Sequence, residues 1–162
     1  VVAYGWIKKG TTKEIKSNTG RRRLNINGAF DIENTSISVD YGTSINAQST
    51  ISLLKKVELK HTEAETIYVI CDNARYYRSR KVTEYLETSK VELMFLPPYS
   101  PNLNLIERLW KYFHKIVLYN KYYETYHEFQ KSCKSFFRNI KRYKKDLASL
   151  LTENFQIIRT NT

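Results

Sequence analysis

Two carboxylates hold positions from which they could work together. Asp72 ends the apolar run Thr66-Ile67-Tyr68-Val69-Ile70-Cys71, and Glu107 falls in the first turns of the stretch that follows Pro97-Pro98. The ends of buried strands are where α/β sheets present functional groups. Oxygen donors suit a hard cation such as Mg²⁺, which takes ligands at about 2.1 Å and usually accepts one or two protein carboxylates beside phosphate oxygens. Each acid also has an ordinary structural role open to it. Asp72-Asn73 can be a strand-ending turn, and Glu107 can be the third residue of a capping box opened by Asn104. Other chemistries lack their signatures: there is no G-x-S-x-G, Gly-rich phosphate loop, H-E-x-x-H or paired Cys motif, and His61, His114 and His127 stand at unrelated spacings. Hydrolase triads and zinc sites drop out, and carboxylate chemistry remains.

Those acids need elements to position them. Thr66 to Cys71 reads as a strand buried on both faces, and Val91 to Leu96 as a second, halted by Pro97-Pro98, whose fixed φ and missing donors cannot continue a ladder. A polar helix is expected between them, over Arg78 to Ser89. Upstream, Leu24, Ile26 and Phe30 alternate with polar residues between Arg22 and Asp31, and Thr35 to Tyr41 alternates again after a turn at Glu33-Asn34, which predicts a hairpin. Asn46 opens a helical stretch to Lys60 carrying Ile51, Leu54 and Leu59. Downstream, Ile106, Leu109, Trp110, Phe113, Ile116 and Val117 form one helical stripe, followed by helices over about Glu124 to Phe137 and Lys144 to Ile158. The order predicts a mixed α/β domain over residues 1–162, with antiparallel strands first, parallel strands after, and helices around them.

The chain has 162 residues, 27 Lys and Arg against 16 Asp and Glu, and a net charge of +11. With 41% apolar residues it can bury a core, which excludes disordered and low-complexity classes. No apolar stretch approaches the roughly 20 residues of a membrane span. Cys71 and Cys133 read as a reduced intracellular pair. The first 81 residues hold 14 basic and 8 acidic side chains and the remainder 13 and 8, so the excess is spread along the chain. Its densest part is Arg108 to Lys145, where 11 cations face only Glu124 and Glu128 and aromatic residues are interleaved. Such a density suits a polyanion, nucleic acid first, although a solvated helical face is the plain alternative. Arg21-Arg22-Arg23 after Gly20 is a weaker candidate, since cations after a turn are commonly just solvated.

Cys71-Asp72-Asn73-Ala74, followed by Phe95-Leu96-Pro97-Pro98-Tyr99-Ser100-Pro101-Asn102-Leu103-Asn104-Leu105-Ile106-Glu107-Arg108-Leu109-Trp110, resembles the DDE transposases of the mariner superfamily, in particular its bacterial insertion-sequence branch. In that family the second catalytic Asp and the catalytic Glu are commonly 34 residues apart, and residues 73 to 106 between Asp72 and Glu107 number 34. Gly5-Trp6-Ile7-Lys8-Lys9-Gly10 and Gly20 to Ala29 also look like early segments of the family, so the resemblance covers about residues 1 to 120. Leu105 stands where the family usually has Pro, and Tyr76-Tyr77 lies near where many members carry a His. The larger departure is the family's first catalytic Asp, which lies upstream of the Gly-Trp segment. Residues 1 to 4 contain no carboxylate, and Asp31 and Asp40 are read as surface or turn residues.

The resemblance implies an RNase H-like fold whose first strand is largely missing here, with the family's helix-turn-helix region upstream and the chain a C-terminal part of a transposase. It implies that Asp72 and Glu107, with the first Asp, hold two Mg²⁺ or Mn²⁺ ions that clamp a DNA phosphate for cleavage and strand transfer. Pro97, Pro98 and Pro101 would set the angle of the Glu107 helix and Trp110 would anchor it. Arg108, Lys111 and Lys115 would approach the DNA of element ends and target, with Arg21, Arg22 and Arg23 as further contacts and a homodimer possible. The setting implied is bacterial cytoplasm at the nucleoid. With one acid missing, the 162 residues are expected to cleave little DNA. A remnant that binds DNA without chemistry, and an RNase H-like nuclease that hydrolyses without joining ends, are the competing readings.

Overall fold

The computed structural model describes residues 6–12, 14, 16, 22–98 and 104–151. Strand β1 (Asn25–Asp31) and strand β2 (Ser36–Gly42) pair antiparallel, with Gly28 opposite Val39 and Phe30 opposite Ile37. The turn between them is held by Asp31, whose carboxylate accepts from the Asn34 amide at 3.0 Å, from Asn34 Nδ2 at 2.8 Å and from the Ser36 hydroxyl at 3.3 Å. Helix α1 (Ala47–Lys60) starts from a capping box in which Asn46 Oδ1 accepts from the Ser49 amide and Ser49 Oγ accepts from the Asn46 amide. Two lysines of α1 then close the free edge of β2. Lys56 Nζ donates to the Val39 carbonyl and to Asp40, and Lys60 Nζ donates to the Ile37 carbonyl. Cations placed on an edge satisfy its carbonyls and deter further strand pairing.

Strand β3 (Ile67–Cys71) and strand β4 (Val91–Phe95) form a separate two-stranded parallel sheet, in register from Ile67 opposite Val91 to Cys71 opposite Phe95. They are joined through a 3₁₀ turn (Arg75–Arg78) and helix α2 (Arg80–Leu86). After residues 99–103, which lie outside the described set, helix α3 (Leu105–Phe113) widens into a π turn (His114–Leu118). Helix α4 (Tyr126–Arg138), a second 3₁₀ turn (Ile140–Tyr143) and helix α5 (Lys144–Leu150) complete the described chain.

Two buried groups hold these elements. The larger joins Leu109, Tyr112 and Phe113 of α3, Val117 of the π turn, Cys133, Phe136 and Phe137 of α4, Ile140, Leu147 and Leu151, and it takes Leu24, Ile26, Phe30, Ile37, Val39 and Tyr41 of the hairpin on its flank. The alternation along β1 and β2 puts those hairpin residues on one face, as period-two patterning requires. The smaller group lies on α1, at Thr50, Leu53, Leu54 and Val57, with Val82, Cys71 and Val91 buried on the elements that follow. Glu58 of α1 ties it together: its carboxylate accepts from the Tyr85 hydroxyl, the Ser89 hydroxyl at 2.8 Å and the Lys90 amide at 2.9 Å.

The mixed α/β class and its antiparallel-then-parallel order agree with the sequence pattern. Two expectations are corrected. β3 and β4 are not buried on both faces: Tyr68 is 64% exposed, Ile70 57% and Met94 53%, because the register puts Tyr68, Ile70, Glu92 and Met94 on one face that no described element covers. On α1 the inward stripe is Thr50, Leu53, Leu54 and Val57, while Leu59 is 77% exposed, so the helix is rotated from the Ile51, Leu54, Leu59 stripe. Boundaries also shift. The expected Arg78 to Ser89 helix divides into a 3₁₀ turn and a shorter α2, and the expected last helix is described only to Leu150.

Candidate active site

Asp72 follows the last residue of β3 and is exposed. Its Oδ1 accepts from the Ala74 amide at 3.0 Å, an Asx turn that fixes the carboxylate over the start of the 3₁₀ turn. The next residue joins the two strands. Asn73 Nδ2 donates to the Leu96 carbonyl at 2.6 Å, and Asn73 Oδ1 accepts from Arg78 Nη2 at 2.9 Å. The Leu96 amide donates to the Cys71 carbonyl at 2.9 Å, and the Arg78 guanidinium lies 4.2 Å above the Phe95 ring centroid. The chain therefore enters Pro97-Pro98 clamped to the strand end that carries Asp72.

The floor beneath this end is aromatic. Tyr76 and Tyr77 have ring centroids 4.8 Å apart, and Tyr77 meets Phe95 edge-on at 6.4 Å. Burial, then the Asp72 charge, pushes the Tyr76 hydroxyl above its ordinary pKa. Burial followed by its neighbours Tyr76, Cys71 and Asp72 does the same to Tyr77. The Cys71 thiol is pushed up to about 11, first by burial and then by Asp72. These three groups stay protonated at neutral pH.

Glu107 lies in the first turn of α3 and is exposed. A carboxylate there complements the partial positive charge of the helix start. The capping-box role is not taken, since Asn104 makes no side-chain cap bond, and the Glu107 carboxylate has no hydrogen-bond or ion-pair partner among the described residues. The adjoining side of α3 is fixed by Trp110, one turn on from Glu107. Its ring packs edge-on against Phe113 and Phe137 at 6.3 and 5.7 Å, and it lies so close over β1 that a Cβ on Gly28 would stand 3.1 Å from Trp110 Cη2. Glycine at position 28 is what lets the Glu107 helix settle onto the hairpin.

The expected cations are distributed unevenly. Lys111 and Lys115 are exposed on the side of the helix that carries Glu107. Arg108 is half-buried, and its Nη1 donates to the Leu150 carbonyl at 3.2 Å, which ties α3 to the end of α5. Arg22 and Arg23 are exposed at the entry to β1, with Arg22 5.8 Å from the Tyr126 ring centroid and the Tyr126 hydroxyl donating to the Arg23 carbonyl at 3.0 Å. Pro97 and Pro98 are exposed after β4, and Arg21 and Pro101 lie outside the described residues. Asp31 and Asp40 are engaged elsewhere: Asp31 holds the hairpin turn and stands 3.8 Å from His61, and Asp40 pairs with Lys56 at 2.5 Å.

Sequence reasoning missed the Asn73–Leu96 clamp, the Arg78–Phe95 contact and the Gly28–Trp110 seat. An Asn directly after a strand-ending Asp was the one visible signal for the clamp. Among the described residues no group of three or more His, Cys, Asp or Glu side chains is gathered to hold a metal ion. The donor set that is present, one Asx-held carboxylate with Oδ2 unused and one carboxylate without a partner, has the oxygen chemistry Mg²⁺ or Mn²⁺ takes.

A family model for the DDE superfamily endonucleases matches residues 1–130. The chain belongs to that family. An insertion element IS630 uncharacterized 39 kDa protein of Shigella sonnei is 29% identical over 120 residues, which is 74% of this chain and 35% of that protein. The chain thus spans about a third of the length of this curated relative. The catalytic domain of Mos1 mariner transposase superposes with a TM-score of 0.63 at 19% identity, covering 85% of this chain and 74% of that one. A Mos1 transposase paired-end complex with the left transposon end gives 0.62 at 18%, covering 92% and 49%. At these identities the Mos1 likeness establishes a shared fold, and the DDE family expected from the Leu96 to Glu107 motif is the one whose model matches.

Proposed function

We propose that this chain is the catalytic part of a DNA transposase and that Asp72 and Glu107 are two of its metal-binding carboxylates. The observation that carries the reading is the Asn73 clamp, which fastens the start of the Pro97-Pro98 segment to the Asp72 strand end while Glu107, farther along that segment, keeps its carboxylate unengaged. The Asx turn holds Asp72 with Oδ2 available, and the Gly28–Trp110 seat fixes the helix that aims Glu107. Asp72 and Glu107 would hold Mg²⁺ or Mn²⁺, which would supply Lewis-acid activation of water or a 3′-hydroxyl and charge stabilisation at the leaving oxygen. Lys111 and Lys115, with Arg22 and Arg23, contact the DNA backbone, and Arg21 belongs to the same run. Arg108 adds charge nearby while anchoring α3 to α5.

The partners in this reading are element ends and target DNA, brought together by a homodimer at the nucleoid. Among the described residues no helix is long and apolar enough to cross a membrane. Asp31 and Asp40 are committed to the hairpin turn and to Lys56, so neither belongs to the metal site in this reading.

The test is cleavage of a labelled terminal-repeat duplex by the full-length protein with Mg²⁺ or Mn²⁺. Asp72→Ala and Glu107→Ala each lower the cleavage rate by at least about 100-fold, a typical loss when charge stabilisation is removed at a reacting centre, with DNA affinity kept. Cleavage that survives Asp72→Ala refutes the assignment. Hydrolysis without strand-transfer products moves the chain to the nucleases.

A further inference from the structure

We propose that α4 and the 3₁₀ turn after it form a second DNA-binding face, one that grips the duplex backbone without metal and without sequence preference. The inference rests on the reading that the chain acts on DNA, but uses none of the residues assigned to that site. At 100° per residue, His127, Lys131, Lys134 and Arg138 fall within about 60° of one another on α4. All four are exposed, while Cys133, Phe136 and Phe137 on the opposite side are buried in the larger core. Lys131 to Arg138 spans about 10 Å of helix, over which one duplex strand presents roughly three phosphates.

The charge here is not balanced locally. Residues 131–151 hold seven cations (Lys131, Lys134, Arg138, Lys141, Arg142, Lys144, Lys145) and one acid, Asp146, a net of +6. Asp146 accepts from the Tyr112 hydroxyl at 2.5 Å, and Glu128 is occupied in the Thr125 capping box. None of the three ion pairs among the described residues involves a cation of this stretch. Lys134 instead stands 5.5 Å from the Tyr41 ring centroid, and Lys141 approaches Lys60 of α1 closely enough to add to the burial that lowers the Lys60 pKa, against the pull of Asp31. Folding thus gathers cations from α1, α4 and the 3₁₀ turn around the hairpin. Crowded cations repel one another, and a polyanion relieves that repulsion while releasing its own counterions. The large apolar side chains of this stretch are turned inward, with Leu150 the exception at 40% exposed, so a lipid surface is the poorer match.

The experiment measures binding of the 162-residue chain to a labelled duplex of arbitrary sequence, about 20 base pairs long, in EDTA between about 50 and 200 mM KCl. The variant Lys131→Gln/Lys134→Gln/Arg138→Gln is compared with Lys55→Gln/Arg80→Gln/Lys81→Gln, which removes equal charge from α1 and α2. The first variant loses about 100-fold in affinity near 0.1 M salt and flattens the slope of log K against log salt by about 2 to 3, roughly one per phosphate contact, with an unchanged circular dichroism spectrum. The second moves the slope by less than about one. Equal effects of the two variants overturn the proposal, since net charge alone would then bind. So does an α4 variant that loses affinity for phosphatidylserine vesicles and keeps it for the duplex. No metal is present, so loss of cleavage activity in the preceding test leaves this result standing, and failure here leaves the carboxylate assignment standing.

Discussion

Gly28→Ala is expected to unseat α3. The new Cβ would lie 3.1 Å from Trp110 Cη2, 3.3 Å from Cζ2 and 3.4 Å from Ile37 Cδ1, inside the comfortable carbon separation of about 3.5–4.0 Å. Trp110 cannot slide away freely because Phe113 and Phe137 meet it edge-on. Forcing one methyl into such a contact costs about 1–3 kcal/mol. Alanine returns about 0.5–1 kcal/mol of the entropy that glycine loses in a strand. The net is a loss of about 0–2.5 kcal/mol, read by urea unfolding followed by far-UV circular dichroism. Trp110→Phe removes Cη2 and Cζ2, so in that background Gly28→Ala becomes neutral or stabilising, with a coupling of about 1–2 kcal/mol in the double-mutant cycle. Glu107 lies three positions before Trp110 on the same helix, so in the full-length protein Gly28→Ala lowers cleavage more than DNA affinity. Equal stabilisation by Gly28→Ala in both backgrounds would refute the seat.

Other consequences follow from single contacts. Asn73→Ala removes the bonds to Leu96 and Arg78 and costs about 1–3 kcal/mol, while Asn73→Asp sets a carboxylate oxygen against the Leu96 carbonyl and costs at least as much; each lowers cleavage through kcat in the full-length protein. Burial alone would raise the Glu58 pKa, but bonds from Tyr85, Lys90 and Ser89 outweigh it and hold the group below its ordinary value of 4.5. Its stabilisation is present above that value and is lost as pH falls through the lowered folded pKa, so unfolding midpoints drop on acidification and Glu58→Gln flattens that part of the profile. Asp31, lowered by its Asn34 and Ser36 bonds against the effect of burial, contributes a decline of the same sign that Glu58→Gln leaves in place. Cys71 and Cys133 are free, buried and each pushed up to about 11 chiefly by burial, so iodoacetamide labels neither in native protein at neutral pH and both once urea unfolds the chain.

Much of the fold was legible because its signals are local. Alternation at Leu24, Ile26 and Phe30 marks β1, the Asn46 cap marks the start of α1, and Pro97-Pro98 marks where β4 must stop. The failures share a cause. An apolar β-branched run such as Ile67 to Cys71 reads as buried on both faces, yet exposure depends on which other elements cover the sheet, and that is not encoded in the run. On α1 the buried positions include Thr50, whose hydroxyl is satisfied by the Asn46 carbonyl at 2.9 Å, so a polar residue sits where an apolar count would not put it.

The amino-acid order by itself determined the family, through the Asp72-Asn73-Ala74 and Leu96 to Glu107 motifs, and it determined the helical and extended segments, because periodicity and capping act over a few residues. It also determined the charge, which is a count. Tertiary structure decided what those residues face. Asn73 reaches Leu96 across 23 positions, Arg108 reaches Leu150 across 42, and Tyr126 reaches Arg23 across 103, and no local pattern carries such distances. Only folding could leave Glu107 without a partner among the described residues while binding Asp31 into the hairpin turn and Asp40 to Lys56, since a carboxylate's availability depends on the donors that packing brings to it.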